Sequence, residues 1–202
     1  MDEKQSPTKS IRIDLGGGKL DQNKTDRYKR YIGENYNPAD YWVVELTPLP
    51  GVSLVCDIGQ ELPFRNDSID ELVCIHVLEH VNDLKGLMRE LHRVLKTGGI
   101  LRIWAPHCFS PIAFGDSTHV RFFTFETLLQ FDKRNQGSYY YDFHFDFIGS
   151  QIQVFRRWYK PRLWDKFLEK LININQRKGE RFLKILPYKE WEVYTVLKKV
   201  EA

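Results

Sequence analysis

The sequence predicts an α/β protein whose mostly parallel sheet presents a ligand site along one edge. Three observations lead there. Ile11-Arg12-Ile13-Asp14-Leu15 alternates apolar and polar residues and runs straight into Gly16-Gly17-Gly18, the pattern of a strand ending in a tight loop. Leu84, Leu87, Met88, Leu91 and Leu95 recur at the spacing of an amphipathic helix and lie between two apolar strand candidates. Such a strand, helix, strand unit makes its two strands parallel. Finally, the glycines and unusual polar residues gather at the carboxyl ends of the expected strands, where open parallel sheets bind their ligands.

Taken in order, residues 1–10 are polar, carry a proline and lack periodicity, so they read as a flexible tail ahead of a single domain over 11–202. After the first strand, 11–15, further strands are expected at Tyr41 to Leu46, Ser53 to Cys56, Glu71 to Ile75 and Ile100 to Trp104. Between the first two, only Thr25 to Tyr31 is a compact helical candidate, and it lacks an apolar stripe, so the helices around the second strand are expected to be reduced. The connection from Leu46 to Ser53 is too short for a helix, but an extended Thr47 to Gly51 can span roughly 17 Å, enough to return along a short parallel strand. The helix from Leu84 closes at Lys96-Thr97-Gly98-Gly99. Beyond Pro106 an aromatic-rich region with a helix near Phe125 to Phe131 leads to a strand at Ile148 to Tyr159. A basic helical insert at about 160–187 and a last strand at Trp191 to Lys198 follow. A strand pair flanking an insert at the end of a parallel sheet predicts an antiparallel edge.

At 202 residues, 42% apolar and 28% charged, the composition is that of an ordinary globular protein. With neither a long uncharged apolar run nor a signal peptide, it is expected to be soluble and cytoplasmic. A net charge of +3 is too small to argue for nucleic acid, but it is unevenly spread: Arg156 to Glu190 holds eleven Lys and Arg against four acids, leaving −4 for the remainder. Cys56, Cys74 and Cys108 have no metal-ligand spacing and read as buried thiols of a reducing compartment.

The candidate site follows from strand ends. Gly16, Gly17 and Gly18 let the backbone turn sharply and approach a flat ligand. Glu45, ending the second strand, can accept from both hydroxyls of a ribose. Asp57, ending the third, can accept from an exocyclic amine while the Ile58 N–H donates to a ring nitrogen. His76 follows the fourth strand and His107 the fifth; Asp14 is expected to fix the glycine loop through backbone N–H groups. Singly, Glu45 reads as well as a solvated carboxylate and Asp57 as a turn cap; their joint placement favours a ligand.

Ile11 to Gly18 (IRIDLGGG), Leu62 to His80 (LPFRNDSIDELVCIHVLEH) and Leu91 to Ile103 (LHRVLKTGGILRI) resemble the motifs of class I S-adenosylmethionine (SAM)-dependent methyltransferases, specifically the small methyltransferase-11-like group. Asp116 to Thr124 (DSTHVRFFT) is similar to a segment that follows the fifth strand in many of them. The resemblance implies a Rossmann-like, seven-stranded sheet with an antiparallel last strand. It also implies SAM as cofactor on Gly16 to Gly18, with its ribose at Glu45 and its adenine at Asp57 and Ile58; His76 is expected to contact the cofactor through its backbone. Lys19 and Leu20 stand where the family usually has a further glycine.

Methyl transfer from a sulfonium is an in-line displacement that asks for alignment and exclusion of water. An oxygen acceptor also needs a base, for which histidine is suited. His119 is the first candidate, between Asp116 and Arg121, which are expected to bind substrate; His107 is the second. His80 is expected to position the loop behind the fourth strand, and His92 to be structural. Asp142, His144 and Asp146 alternate with phenylalanines and would share one face of a strand; an exposed face is the expected reading, and no metal site is expected. The basic insert, with Trp158, Trp164, Phe167, Leu168 and Leu171, suits a lid, a dimer surface or peripheral contact with a membrane. The expected function is methylation of a small-molecule or glycan acceptor, at oxygen. A catalytically silent SAM-fold scaffold or regulator is the alternative. A nucleotide-linked oxidoreductase is disfavoured, since no GxGxxG opens a helix.

Overall fold

The computed structural model describes residues 10–19, 22–154, 163–184 and 190–201. All of the expected tail except Ser10 lies outside them, as do residues 155–162 and 185–189 around the basic insert, Trp158 among them.

A seven-stranded sheet runs in the order β3-β2-β1-β4-β5-β7-β6. Its strands are β1 (Arg12–Leu15), β2 (Tyr41–Glu45), β3 (Leu54–Val55), β4 (Ile69–Ile75), β5 (Leu95–Pro106), β6 (Phe145–Val154) and β7 (Trp191–Lys199). β1 pairs parallel with both β2 and β4, β2 with β3, and β4 with β5; β7 lies antiparallel between β5 and β6. The mostly parallel sheet with an antiparallel last strand is therefore the one the sequence predicts. The chain winds outward in both directions from β1 and β4, so a crevice opens beyond their carboxyl ends.

One face is covered by α2 (Leu84–Val94). Asp83 caps it by accepting from Gly86 N at 2.8 Å, and Leu84, Leu87, Met88, Leu91 and Val94 pack onto Ile13, Leu15, Leu72, Cys74, Leu101 and Ile103. The other face is covered by α1 (Gln22–Ile32), a longer and better-formed helix than Thr25 to Tyr31 suggested. Its inward stripe is buried Lys24 and Tyr28 with half-buried Tyr31 and Ile32, and it meets Tyr36, Tyr41, Val73, Ile75 and Trp104. No helix occurs between β2 and β4, so the expected loss holds only on that side of β2.

Three expectations are corrected. Phe125 to Phe131 forms a turn and a short 3-10 segment rather than an α-helix, because the Thr124 and Thr127 hydroxyls serve its backbone. β6 begins at Phe145, earlier than expected, since Phe143 and Phe145 pack against His92 of α2. Asp142 and His144 thus precede the strand, and the three polar groups do not converge: Asp142 pairs with Arg89, His144 Nε2 lies on the Ser138 carbonyl, and Asp146 meets Lys133. A short helix α3 (Pro111–Gly115) follows β5, and the insert folds as α4 (Leu163–Ile174) and α5 (Gln176–Leu183), broken at Asn175.

Candidate active site

The crevice holds two adjoining cavities of about 570 and 590 Å³, which share Gly16, His76 and His80 in their walls. Each is of the size that small-molecule sites have.

The glycine loop is shaped by contacts that exclude a side chain. Gly16 has φ +69° and donates to Val44 O, and a Cβ there would meet Val77 at 2.5 Å. At Gly17 a Cβ would lie 2.2 Å from Asp14 Oδ2. Asp14, wholly buried, therefore sits directly against the loop, and its carboxylate takes Lys24 Nζ at 2.7 Å and the Tyr28 hydroxyl at 2.9 Å. Burial, then this carboxylate, drives the nearby Tyr36 hydroxyl well above its ordinary pKa.

Glu45 Oε1 accepts from Gly18 N at 2.7 Å and Oε2 from Leu46 N at 2.9 Å, which ties the end of β2 to the glycine loop. Asp57 Oδ1 accepts from Gly59 N at 2.8 Å and shapes the turn that presents Ile58. Glu45, Asp57 and Ile58 line one cavity, and Gly16, Gly17 and Gly18 the other, so the strand-end residues singled out by sequence do come together.

His76 has φ +55° and lies between two buried carboxylates. Nε2 is 3.2 Å from Glu192 Oε2 on β7, and Nδ1 is 3.2 Å from Glu79 Oε1, near enough to pair though poorly aligned for a hydrogen bond. Burial would depress its pKa, but the hydrogen bond with Glu192 and the charges of Glu79 and Glu192 outweigh that and raise it to about 9. The two carboxylates thus favour its protonated form. Tyr31 adds a hydroxyl that donates to Glu192 Oε2 at 3.1 Å.

The loop after α3 latches onto the turn after β4. Val120 N and Arg121 N donate to Glu79 O, and the Arg121 guanidinium is spent on the carbonyls of Val81 and Asn82. Arg121 therefore holds the loop instead of reaching the cavity, a correction to its expected substrate contact. Asp116 does line the cavity, and hydrogen bonds from Thr118 hold its carboxyl below the ordinary value. His119 lines it too, with Nδ1 on Ala113 O at 3.1 Å and its ring 4.7 Å from that of His80. His107 is not brought there. It is wholly buried, with Nε2 3.0 Å from Glu180 of α5 and Nδ1 accepting from Phe109 N, so both nitrogens are occupied structurally.

Sequence reasoning missed Tyr31, Glu79 and Glu192. Glu79 stands inside the quoted LEH motif, and its position next to His80 was the available signal; Glu192 had none, lying 116 residues from its partner.

Comparison with known proteins agrees with this architecture. Residues 13–103 match the methyltransferase domain family. Over 98 residues, 45% of this chain and 41% of the other, the sequence is 31% identical to the ubiquinone biosynthesis O-methyltransferase of Pseudomonas syringae pv. tomato. The chain spans less than half the length of the curated relatives it matches. A SAM-dependent methyltransferase from Archaeoglobus fulgidus superposes with a TM-score of 0.53 at 16% identity, covering 94% of this chain and 86% of that one. The [4+2]-cyclase SpnF superposes at 0.56 with 15% identity, over 96% and 76%. The chain therefore has the Rossmann-like class I SAM-dependent methyltransferase fold, with its family-matching segment running from β1 through most of β5.

Proposed function

We propose that the protein transfers a methyl group from SAM to a small-molecule or glycan hydroxyl. One observation carries this reading: the glycine loop, Glu45 and the Asp57-Ile58 turn border one continuous crevice at the point where the strand order reverses. The ribose would lie at Glu45, the adenine at Asp57 and the Ile58 N–H, and the methionine end along Gly16 to Gly18. The acceptor would enter from the side of Asp116 and His119, with His119 taking charge of its proton. His76, with both ring nitrogens facing carboxylates, is unsuited to act as base.

Calorimetry is expected to show one equivalent of SAM bound per chain. Glu45→Ala and Asp57→Ala each remove a charge-assisted hydrogen bond of about 1.5–3 kcal/mol and should weaken binding roughly 10- to 100-fold. Failure of the intact protein to bind SAM would end this reading. SAM binding without turnover over a panel of sugar and phenolic acceptors would favour the silent scaffold.

Peripheral membrane contact belongs to the same proposal. Leu163, Trp164, Phe167, Leu171 and Ile174 form an exposed stripe along α4. The acids of the pair are used internally: Asp165 is buried, Glu169 accepts from Val154 N, and Glu180 from Phe125 N. Lys166, Lys170, Arg177, Lys178, Arg181 and Lys184 are left exposed, which suits an anionic lipid surface. Among the described residues no helix is long and apolar enough to cross a membrane. All three cysteines are free thiols, in keeping with the proposed cytoplasmic setting.

A further inference from the structure

Glu79, His80 and His119 each bring one ligand atom within 4.8 Å of the other two, in the wall of the cavity bordered by the glycine loop. Glu79 is 1% exposed, and neither oxygen receives an aligned hydrogen bond: Oε1 lies 3.2 Å from His76 Nδ1 and 3.9 Å from His119 Nε2, and Oε2 meets no donor among the described residues. A buried carboxylate oxygen in that condition is costly unless a cation meets it.

Both histidines are fixed as lone-pair donors. His119 Nδ1 lies on the Ala113 carbonyl, which can only accept, so Nδ1 carries the proton and Nε2 the lone pair. Thr118 gives its own hydrogen to Asp116 Oδ1 at 2.6 Å, so its oxygen accepts from His80 Nδ1 at 2.9 Å, and His80 Nε2 is likewise left with a lone pair. Ligating histidines are held by outer acceptors of this kind at metal centres.

We propose that Glu79, His80 and His119 bind one divalent transition-metal ion of the zinc type. Two imidazoles and a carboxylate leave a coordination position open, the make-up of a catalytic zinc site, and imidazole selects zinc over magnesium or calcium. Bonds of about 2.0–2.2 Å at tetrahedral angles set ligand atoms roughly 3.3–3.5 Å apart, so the 3.9 Å between Glu79 Oε1 and His119 Nε2 has to close by about half an ångström. His76 keeps Glu192 as its partner when Glu79 turns to the ion. The open position would bind an acceptor oxygen and lower its pKa, its proton leaving to solvent through the open side of the cavity, and His119 would then serve as a ligand to the ion in place of a base. That use rests on the methyltransferase reading; binding of the ion does not.

Chelator-stripped protein titrated with Zn²⁺ by calorimetry, and with Co²⁺ by visible absorption, is expected to take up one equivalent per chain. His80 is exposed, so His80→Ala should fold; it and Thr118→Val are expected to weaken Zn²⁺ binding at least about tenfold with unchanged circular dichroism. His144→Ala should leave the affinity as it is. Absence of stoichiometric uptake, preference for Mg²⁺ over Zn²⁺, or indifference to both His80→Ala and Thr118→Val would overturn the site. SAM affinity measured on the stripped and loaded protein separates the two readings. Ion uptake without SAM binding removes the function and leaves the site standing; SAM binding without ion uptake does the reverse.

Discussion

Gly16 shows how a single residue can be committed twice. Its φ of +69° lies in the region that L side chains avoid, and Val77 occupies the place of a Cβ. Gly16→Ala is expected to cost about 1–3 kcal/mol of stability through backbone strain, with the clash added, and to weaken SAM binding, as chemical denaturation and calorimetry on the same sample would show. The buried Asp14–Lys24 pair is a second commitment, since it fixes the floor of the loop from α1. Lys24→Met takes the cation from the buried Asp14 carboxylate, which keeps the Tyr28 hydroxyl, and should destabilise the fold by about 3–5 kcal/mol; a loss below about 1 kcal/mol in urea titrations would contradict that. Sequence made Gly16, Glu45 and Asp57 legible because each closes a short strand, a local pattern. Lys24 was not legible, since nothing local distinguishes a lysine that turns inward from one that stays in water.

Elements were legible in proportion to how far their buried faces were aliphatic. α2, with leucines and a methionine at helical spacing, and β1, with strict alternation, could be placed nearly to the residue. α1 could not, because its inward stripe consists of Lys24, Tyr28, Tyr31 and Ile32, which read as an ordinary polar helix face until β1 supplies Asp14. The turn leading into β6 depends likewise on a charged residue. Asp132, 2% exposed, accepts from Arg134 N, Nε and Nη2 and from Phe147 N. The Arg134 guanidinium holds the Asp132 carboxyl below its ordinary value, and Arg93 does the same to Glu90 on α2. A depressed folded pKa stabilises the protein above the unfolded value of about 4, and that contribution is lost as pH falls through the folded value. The urea midpoint should therefore fall between pH 6 and pH 3. In Asp132→Asn it should fall less, starting from a protein already weakened by about 1–3 kcal/mol.

At the scale of the whole molecule, the sheet order brings together groups that the sequence keeps apart. β7 enters between β5 and β6, which places Glu192 against His76 across 116 residues and makes the late strand part of the site's charge balance. The same insertion leaves α4 and α5 outside the sheet, packed on β6 through Ile172, Leu183 and Leu168 but with a second apolar stripe facing outward. A stripe that served only folding would be covered or polar; this one carries Trp164 stacked on Phe167 at 5.3 Å and is flanked by cations whose neighbouring acids are turned inward. Binding to vesicles of anionic lipid is therefore expected in sedimentation assays, absent for neutral vesicles and falling as salt rises. The joint change Lys166→Glu, Lys170→Glu and Lys178→Glu should abolish it. Trp164→Ala with Phe167→Ala should reduce it while keeping the salt dependence, since the apolar and electrostatic contributions are separate. Equal binding to neutral and anionic vesicles, or retention after the three charge reversals, would remove the electrostatic contribution, and absence of binding to any vesicle would instead assign the stripe to a protein partner.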